Sequence, residues 1–151
     1  MPKQNKYEPI EVALEVRKSP SGGKGLFALE AIPKDVAVIE YTGKLLTDEE
    51  YDKSQSRYLF DIGKGKVIDG WKGGSRARYI NHSCVPNCEA ENHKGRIFIR
   101  TLRRIQPGEE LAYNYGTEYF EQILGNGTKC LCPKCTADRE AALAAETKQA
   151  A

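Results

Sequence analysis

The chain has 151 residues, a length that fits one domain with a modest core. Hydrophobic residues make up 40% and charged residues 29%, an ordinary soluble balance, and no apolar run reaches the roughly 18 residues a membrane span needs. A net charge of +2 is too small to argue for nucleic acid, and Met1-Pro2-Lys3-Gln4-Asn5-Lys6 lacks the apolar stretch of a signal peptide.

Residues 1–10 are polar with two prolines and read as a loose arm. Val12, Leu14 and Val16 then alternate with Glu11, Glu15 and Arg17, the period of a half-buried strand. Ser19-Pro20-Ser21-Gly22-Gly23 turns the chain into Gly23-Lys24-Gly25-Leu26-Phe27-Ala28. Alone, Gly-x-Gly is weak evidence, and the strand–glycine–helix spacing of a dinucleotide fingerprint is missing. Residues 36–41 are apolar and β-branched, a predicted strand ending at Thr42-Gly43. Thr47-Asp48-Glu49-Glu50 has the form of a capping box and predicts a short helix. Residues 58–62 and 66–69 read as strands around Gly63-Lys64-Gly65, and Trp71 follows as a core or edge anchor.

Residues 76–80 predict a helical turn before residues 78–88, Arg-Tyr-Ile-Asn-His-Ser-Cys-Val-Pro-Asn-Cys. That stretch packs thiols, carboxamides and an imidazole onto backbone that Pro86 keeps irregular, the profile of a built site. Residues 89–91 and 96–102 predict a hairpin around Lys94-Gly95, with Ile97 and Ile99 on one face. Pro107-Gly108 predicts a type II turn that delivers residues 109–115 as the last strand. Many short strands and little helix point to a mainly-β domain, not a βαβ array. The Ala-rich end of the chain predicts a helical tail too short to be stable alone.

The five cysteines are Cys84, Cys88, Cys130, Cys132 and Cys135, an odd count that favours metal over a disulfide framework. Cys130-x-Cys132-x-x-Cys135 offers three thiolates, and one more ligand would close a tetrahedral zinc site; an iron–sulfur centre uses the same donors. By spacing, Cys84, Cys88 and His93 are all candidates for the fourth position. Lys64, Lys66, Lys72, Arg76 and Arg78 form a local basic cluster, most simply a solvated face.

Taken in order, Gly23-x-Gly25, Glu40-Tyr41-Thr42-Gly43, the segment from Arg78 to Cys84, and Gly108-Glu109-Glu110-Leu111-Ala112-Tyr113-Asn114-Tyr115 resemble the SET-domain protein lysine methyltransferases, over roughly residues 12–135. The resemblance implies a fold of short twisted sheets whose C-terminal pseudoknot sets Asn81-His82 beside Tyr113 and Tyr115. It divides the chain into an arm (1–10), a SET domain (11–117), a zinc-binding post-SET segment (118–136) and a helical or disordered tail (137–151). It implies S-adenosylmethionine as methyl donor, leaving S-adenosylhomocysteine. Lys24, Gly25 and Leu26 would contact that cofactor, Asn81 would hold its amino-acid portion, and His82 would meet its adenine through backbone groups. Arg78 would be structural or cofactor-orienting.

By the same resemblance Tyr115 is the catalytic tyrosine and also touches the cofactor, while Tyr41 and Tyr113 wall the lysine channel. Tyr113 stands at the family's Phe/Tyr switch, which implies mainly mono-, at most dimethylation. The post-SET pattern makes Cys84 the fourth ligand of a structural Zn2+ with Cys130, Cys132 and Cys135, and leaves Cys88 a buried thiol. Residues 117–128, with Phe120 and Leu124, would then form a lid. The chain departs from the pattern in having two residues, not four, between its last two cysteines, and in Asn114 and Ala112 where Asp and Thr are usual.

The brief insert near Thr47 implies a shallow peptide groove and leaves room for a homodimer partner. The implied partner is a protein with an accessible lysine, a histone or another basic protein, with no membrane and no direct nucleic-acid contact. Without a pre-SET cysteine cluster or reader domain, the plan resembles stand-alone bacterial or viral members. That implies a cytoplasmic protein in a bacterium, or a nuclear or chromatin-bound one otherwise. Two rivals are a SET-fold module that binds lysine-bearing partners without turnover, and a zinc-stabilised nucleic-acid binder. Degenerate members lose the tyrosine or the Asn-His pair, and here Tyr115, Asn81 and His82 are present. Ala145-Glu146-Thr147-Lys148-Gln149 loosely resembles the start of a histone tail, which would make Lys148 a self-methylation site, although chance in so biased a composition is the simpler reading.

Overall fold

The computed structural model describes residues 6–20, 23–116, 137–138 and 140–144. The proposed ligands Cys130, Cys132 and Cys135, the lid at 117–128 and Lys148 lie outside the described residues. The domain is mainly β, as its sequence predicts. β1 (Leu14–Lys18) pairs antiparallel with β2 (Lys24–Ala28), Leu14 facing Ala28. β3 (Ala37–Tyr41) is followed by the two-residue β4 (Lys44–Leu45) and by α1 (Asp48–Lys53). The capping box forms in full: Glu50 N–H donates to Thr47 Oγ1 at 3.1 Å and Thr47 N–H to Glu50 Oε1 at 3.2 Å.

β5 (Leu59–Gly63) and β6 (Lys66–Asp69) make a hairpin that β4 extends into a three-stranded sheet, in the order β4-β6-β5. A 3-10 helix (Arg76–Tyr79) leads into β7 (Asn81–His82). β8 (Cys88–His93) and β9 (Arg96–Thr101) form the second hairpin, and β9 sits centrally in the sheet β3-β9-β8. Lys94 (φ 53°) and Gly95 (φ 81°) both take the left-handed backbone that a tight two-residue hairpin turn requires. β10 (Ala112–Tyr113) closes the order by pairing parallel with β7.

The core lies between these small sheets. Leu26, Ile32, Ile80, Ile97, Phe98, Ile99, Ile105 and Leu111 are completely or almost completely buried. Burying each such side chain is worth roughly 1.5–3 kcal/mol. Glycines let the layers close where backbone meets backbone: a Cβ on Gly43 would collide with the Asp69 carbonyl, and one on Gly74 with the Gly70 carbonyl. Among the described residues no helix is long and apolar enough to cross a membrane, and those of 137–144 are helical.

One predicted element is shorter than expected. Of residues 109–115 only Ala112–Tyr113 is strand, with a lone bridge from Glu110 to Phe27. Side chains replace strand partners on either side. Asn87 Oδ1 accepts from Ala112 N–H at 2.8 Å, and His82 Nδ1 accepts from Tyr115 N–H at 3.0 Å.

Candidate functional site

Two distant segments are tied together at the site. β7 and β10 pair Asn81 with Ala112 and His82 with Tyr113. Ser83 N–H donates to the Tyr113 carbonyl at 3.1 Å, and Asn87 Nδ2 donates to the Glu110 carbonyl at 2.8 Å. Asn87 is nearly buried, so its carboxamide acts as a two-ended staple across the crossing. The 3-10 helix before β7 is fixed by Ser75, whose hydroxyl donates to the Glu40 carbonyl at 2.5 Å.

An aromatic file runs along this crossing. Tyr41 lies 5.0 Å from Phe60, Phe60 6.3 Å from Tyr113, Tyr113 4.8 Å from Tyr115, and Tyr115 5.4 Å from the His82 ring. Tyr41 and Tyr113 are buried and Tyr115 is half-buried. The Tyr115 hydroxyl donates to the Ile80 carbonyl, and the Tyr41 hydroxyl donates to the Tyr58 carbonyl at 2.8 Å. Each of these hydroxyl protons is thus turned toward a backbone carbonyl, which fixes the phenol oxygen in place. Burial pulls the His82 imidazole below its ordinary pKa, which favours the neutral ring. Because Nδ1 accepts from Tyr115, the proton sits on Nε2, 3.3 Å from Cys84 Sγ.

Asn81 anchors the opposite end. Its Nδ2 donates to the Lys24 carbonyl and to Glu110 Oε2, both at 3.0 Å. Lys24 is exposed, whereas Gly25 and Leu26 are buried and the Leu26 carbonyl accepts from Leu111 N–H at 2.8 Å. Leu26 therefore puts its side chain into the core. A Cβ on Gly25 would come within 2.7 Å of Glu110 Oε2, so this glycine admits a neighbouring carboxylate. Arg78 turns back on its own segment, Nη1 donating to the Gly74 and Ser75 carbonyls at 3.0 Å. Arg76 Nη1 donates to the Leu14 carbonyl at 2.7 Å, so two members of the basic cluster are engaged with backbone.

The SET-domain profile matches residues 23–116, more than half of the chain. The chain belongs to the SET-domain family. It is 46% identical over 123 residues, 72% of its length, to "Histone-lysine N-methyltransferase, H3 lysine-4 specific" of Chaetomium globosum. It is 31% identical over 147 residues, 88% of its length, to "Histone-lysine N-methyltransferase ash1" of Drosophila melanogaster. A third relative is "Histone-lysine N-methyltransferase 2D" of Homo sapiens, 40% identical over 109 residues, 64% of this chain. These matches span 11%, 7% and 2% of the respective relatives.

Of the four cysteines proposed as ligands, this SET domain places Cys84 at the surface. Cys88 is fully buried, and burial pushes its thiol up to about 12. A metal ligand must be a thiolate, so Cys88 is ill suited to be one. Beyond Tyr58 lies a cleft of about 790 Å³ whose walls include Leu46, Ser56, Arg57, Asp69 and Trp71. Trp71 is 60% exposed and stacks on Tyr58 at 5.5 Å, an edge anchor and not a core one.

Sequence reasoning singled out Asn81, His82 and the tyrosines, and the fold brings them together. It passed over Glu110, Ser19 and Asn87. Glu110 lies in the motif at 108–115 with no role that the pattern assigns, and Ser19 reads as a turn residue. Nothing local marks a contact across 91 positions, the separation of Ser19 from Glu110.

Proposed function

We propose that this SET domain is an S-adenosylmethionine-dependent protein lysine N-methyltransferase acting on a histone or another basic protein. The observation that carries the reading is the meeting of the Tyr41–Phe60–Tyr113–Tyr115 file with Asn81 and His82 at the β7/β10 crossing. The relatives named as histone-lysine N-methyltransferases support the same chemistry. S-adenosylmethionine, when bound, would supply a methyl group on a positively charged sulfonium. The donor set fits it: Asn81 Oδ1 has no partner among the described residues, and the Lys24–Gly25 backbone lies beside it.

The protein's part is to present a neutral amine in line with that methyl. A free lysine, with a pKa of about 10.4, is almost wholly charged at neutral pH. The aromatic file strips water from the amine and disfavours that charge. Tyr115 and Tyr41 accept from the amine and aim its lone pair. Their part in this reading is to orient the amine, because a phenol hydroxyl is a weak base compared with an amine. The Tyr113 hydroxyl takes room that a methylated amine would need, which favours mono- over higher methylation. The cleft beside Tyr58 and α1 would take residues flanking the target lysine.

In the same reading Cys84, Cys130, Cys132 and Cys135 hold a structural Zn2+ in a post-SET segment at 118–136. The test is transfer of labelled methyl from S-adenosylmethionine into histones, with mass spectrometry of the product. Wild type should yield mainly monomethyl-lysine, and Tyr115→Phe should lose transfer by about 100-fold or more. Cofactor binding without transfer to histones or any other basic protein would leave a binding module instead.

A further inference from the structure

The SET domain contains a polar relay that the tyrosine file does not use. The Ser19 hydroxyl donates to Glu110 Oε1 at 2.6 Å and lies 2.9 Å from Oε2. Ser19 is nearly buried, at 6% exposure. Glu110 Oε2 in turn accepts from Asn81 Nδ2 at 3.0 Å, and the Lys24 carbonyl accepts from the same nitrogen at 3.0 Å. Gly25 is the gap through which the carboxylate reaches, because a Cβ there would stand 2.7 Å from Oε2 and 3.2 Å from Asn81 Nδ2. Residues from the end of β1, from β2, from β7 and from the approach to β10 thus converge on one carboxamide.

A carboxamide has two faces of opposite character, and a half-turn about its last bond exchanges them. Here both neighbours of Nδ2 are pure acceptors, a carbonyl and a carboxylate. The half-turn would set Asn81 Oδ1 against two oxygens and abandon a charge-assisted hydrogen bond. The orientation is therefore fixed with Oδ1 outward, as an acceptor. An outward oxygen welcomes an ammonium, and an outward NH2 would repel it.

We propose that Glu110, held by Ser19, is a positioning residue that locks the Asn81 carboxamide so that its oxygen receives the α-ammonium of the cofactor's amino-acid portion. This rests on the S-adenosylmethionine reading above. The Glu110 carboxylate is engaged by both Ser19 and Asn81, so in this proposal it acts on the ligand through the Asn81 side chain.

The test is calorimetry with two probes: S-adenosylhomocysteine, which carries the α-amino acid, and 5′-methylthioadenosine, which keeps the adenosine thioether without it. Glu110→Ala and Ser19→Ala should weaken S-adenosylhomocysteine about tenfold and about threefold and leave 5′-methylthioadenosine unchanged. Glu110→Gln keeps an acceptor for Asn81 and a partner for Ser19, so it should restore most of the lost affinity. In an Asn81→Ala background, Glu110→Ala should add no further loss. Equal weakening of both probes by Glu110→Ala, with a lowered thermal midpoint, would make Glu110 structural and overturn the proposal. So would a Glu110→Gln protein as weak as Glu110→Ala, since the charge and not the orientation would then matter. Unchanged affinities in every variant overturn the relay alone. Wild-type protein that binds neither probe overturns the cofactor reading with it.

Discussion

Tyr113 and Tyr115 stand two residues apart with their rings 4.8 Å from each other, yet their roles divide by burial and by partners. Tyr115 is held at both ends, its backbone by His82 and its hydroxyl by the Ile80 carbonyl, so its oxygen is a fixed point in the site. Tyr113 is buried beneath it at 6% exposure, where one oxygen atom is a sizeable part of the available space. Tyr113→Phe should therefore leave turnover of an unmodified lysine within about threefold while shifting the product from mono- toward di- and trimethyl-lysine. Mass spectrometry of products over time reads this directly, and an unchanged ladder would mean that something other than Tyr113 sets the limit. Gly43 sits at the opposite extreme, where a single methyl cannot be absorbed. Its missing Cβ is the space occupied by the Asp69 carbonyl, which is backbone and cannot rotate away. Gly43→Ala should cost about 1–3 kcal/mol in urea unfolding, the range of overpacked core substitutions.

Elements with local signals were legible, and elements made by distant partners were not. The Thr47–Glu50 box and the Lys94-Gly95 turn lie within a few residues, and both form as predicted. β4 and β7 are two residues each, and their partners Asp69 and Ala112 lie 25 and 31 positions away. A pair that short has no period to detect. The stretch 109–115 read as one strand because its composition is strand-like. The side chains of Asn87 and His82 take over where a neighbouring strand would be, a substitution no pattern reveals. The turn that feeds this stretch carries a pH signature. Two hydrogen bonds from Arg103, and one from Gln106 N–H at 2.6 Å, hold the Glu109 carboxyl below its ordinary range. A carboxylate depressed in the folded state binds its proton more tightly when unfolded. Its stabilisation is thus complete above the unfolded value of about 4.3 and is lost as pH falls through the folded one. Arg103 is 55% exposed, so screening keeps the contribution below about 1 kcal/mol. Between pH of about 5 and about 3 the thermal midpoint of wild type should fall more steeply than that of Glu109→Gln, and parallel curves would show that the turn contributes nothing.

At the scale of the whole molecule, stability and catalysis should share one fastening. Cys84 Sγ lies 3.3 Å from His82 Nε2, and His82 Nδ1 accepts from the Tyr115 backbone. A metal held at Cys84 would therefore stand one imidazole away from the backbone of the proposed catalytic tyrosine. Ligands drawn from both Cys84 and the 130–135 cluster would also join the centre of the fold to its C-terminal part, so that metal binding energy becomes folding energy. Cys88 offers an internal control, because it is four residues away, buried, and kept a thiol at neutral pH. Metal analysis should find one zinc per chain in wild type and less in Cys84→Ser. Chelation and Cys84→Ser should lower the thermal midpoint and methyl transfer together. Cys88→Ser should keep its zinc and lose stability alone, by about 1–3 kcal/mol for a hydroxyl in a thiol's apolar setting. A zinc-free wild type with full stability and full transfer would remove the metal from the reading and leave the β7/β10 crossing to hold the site unaided.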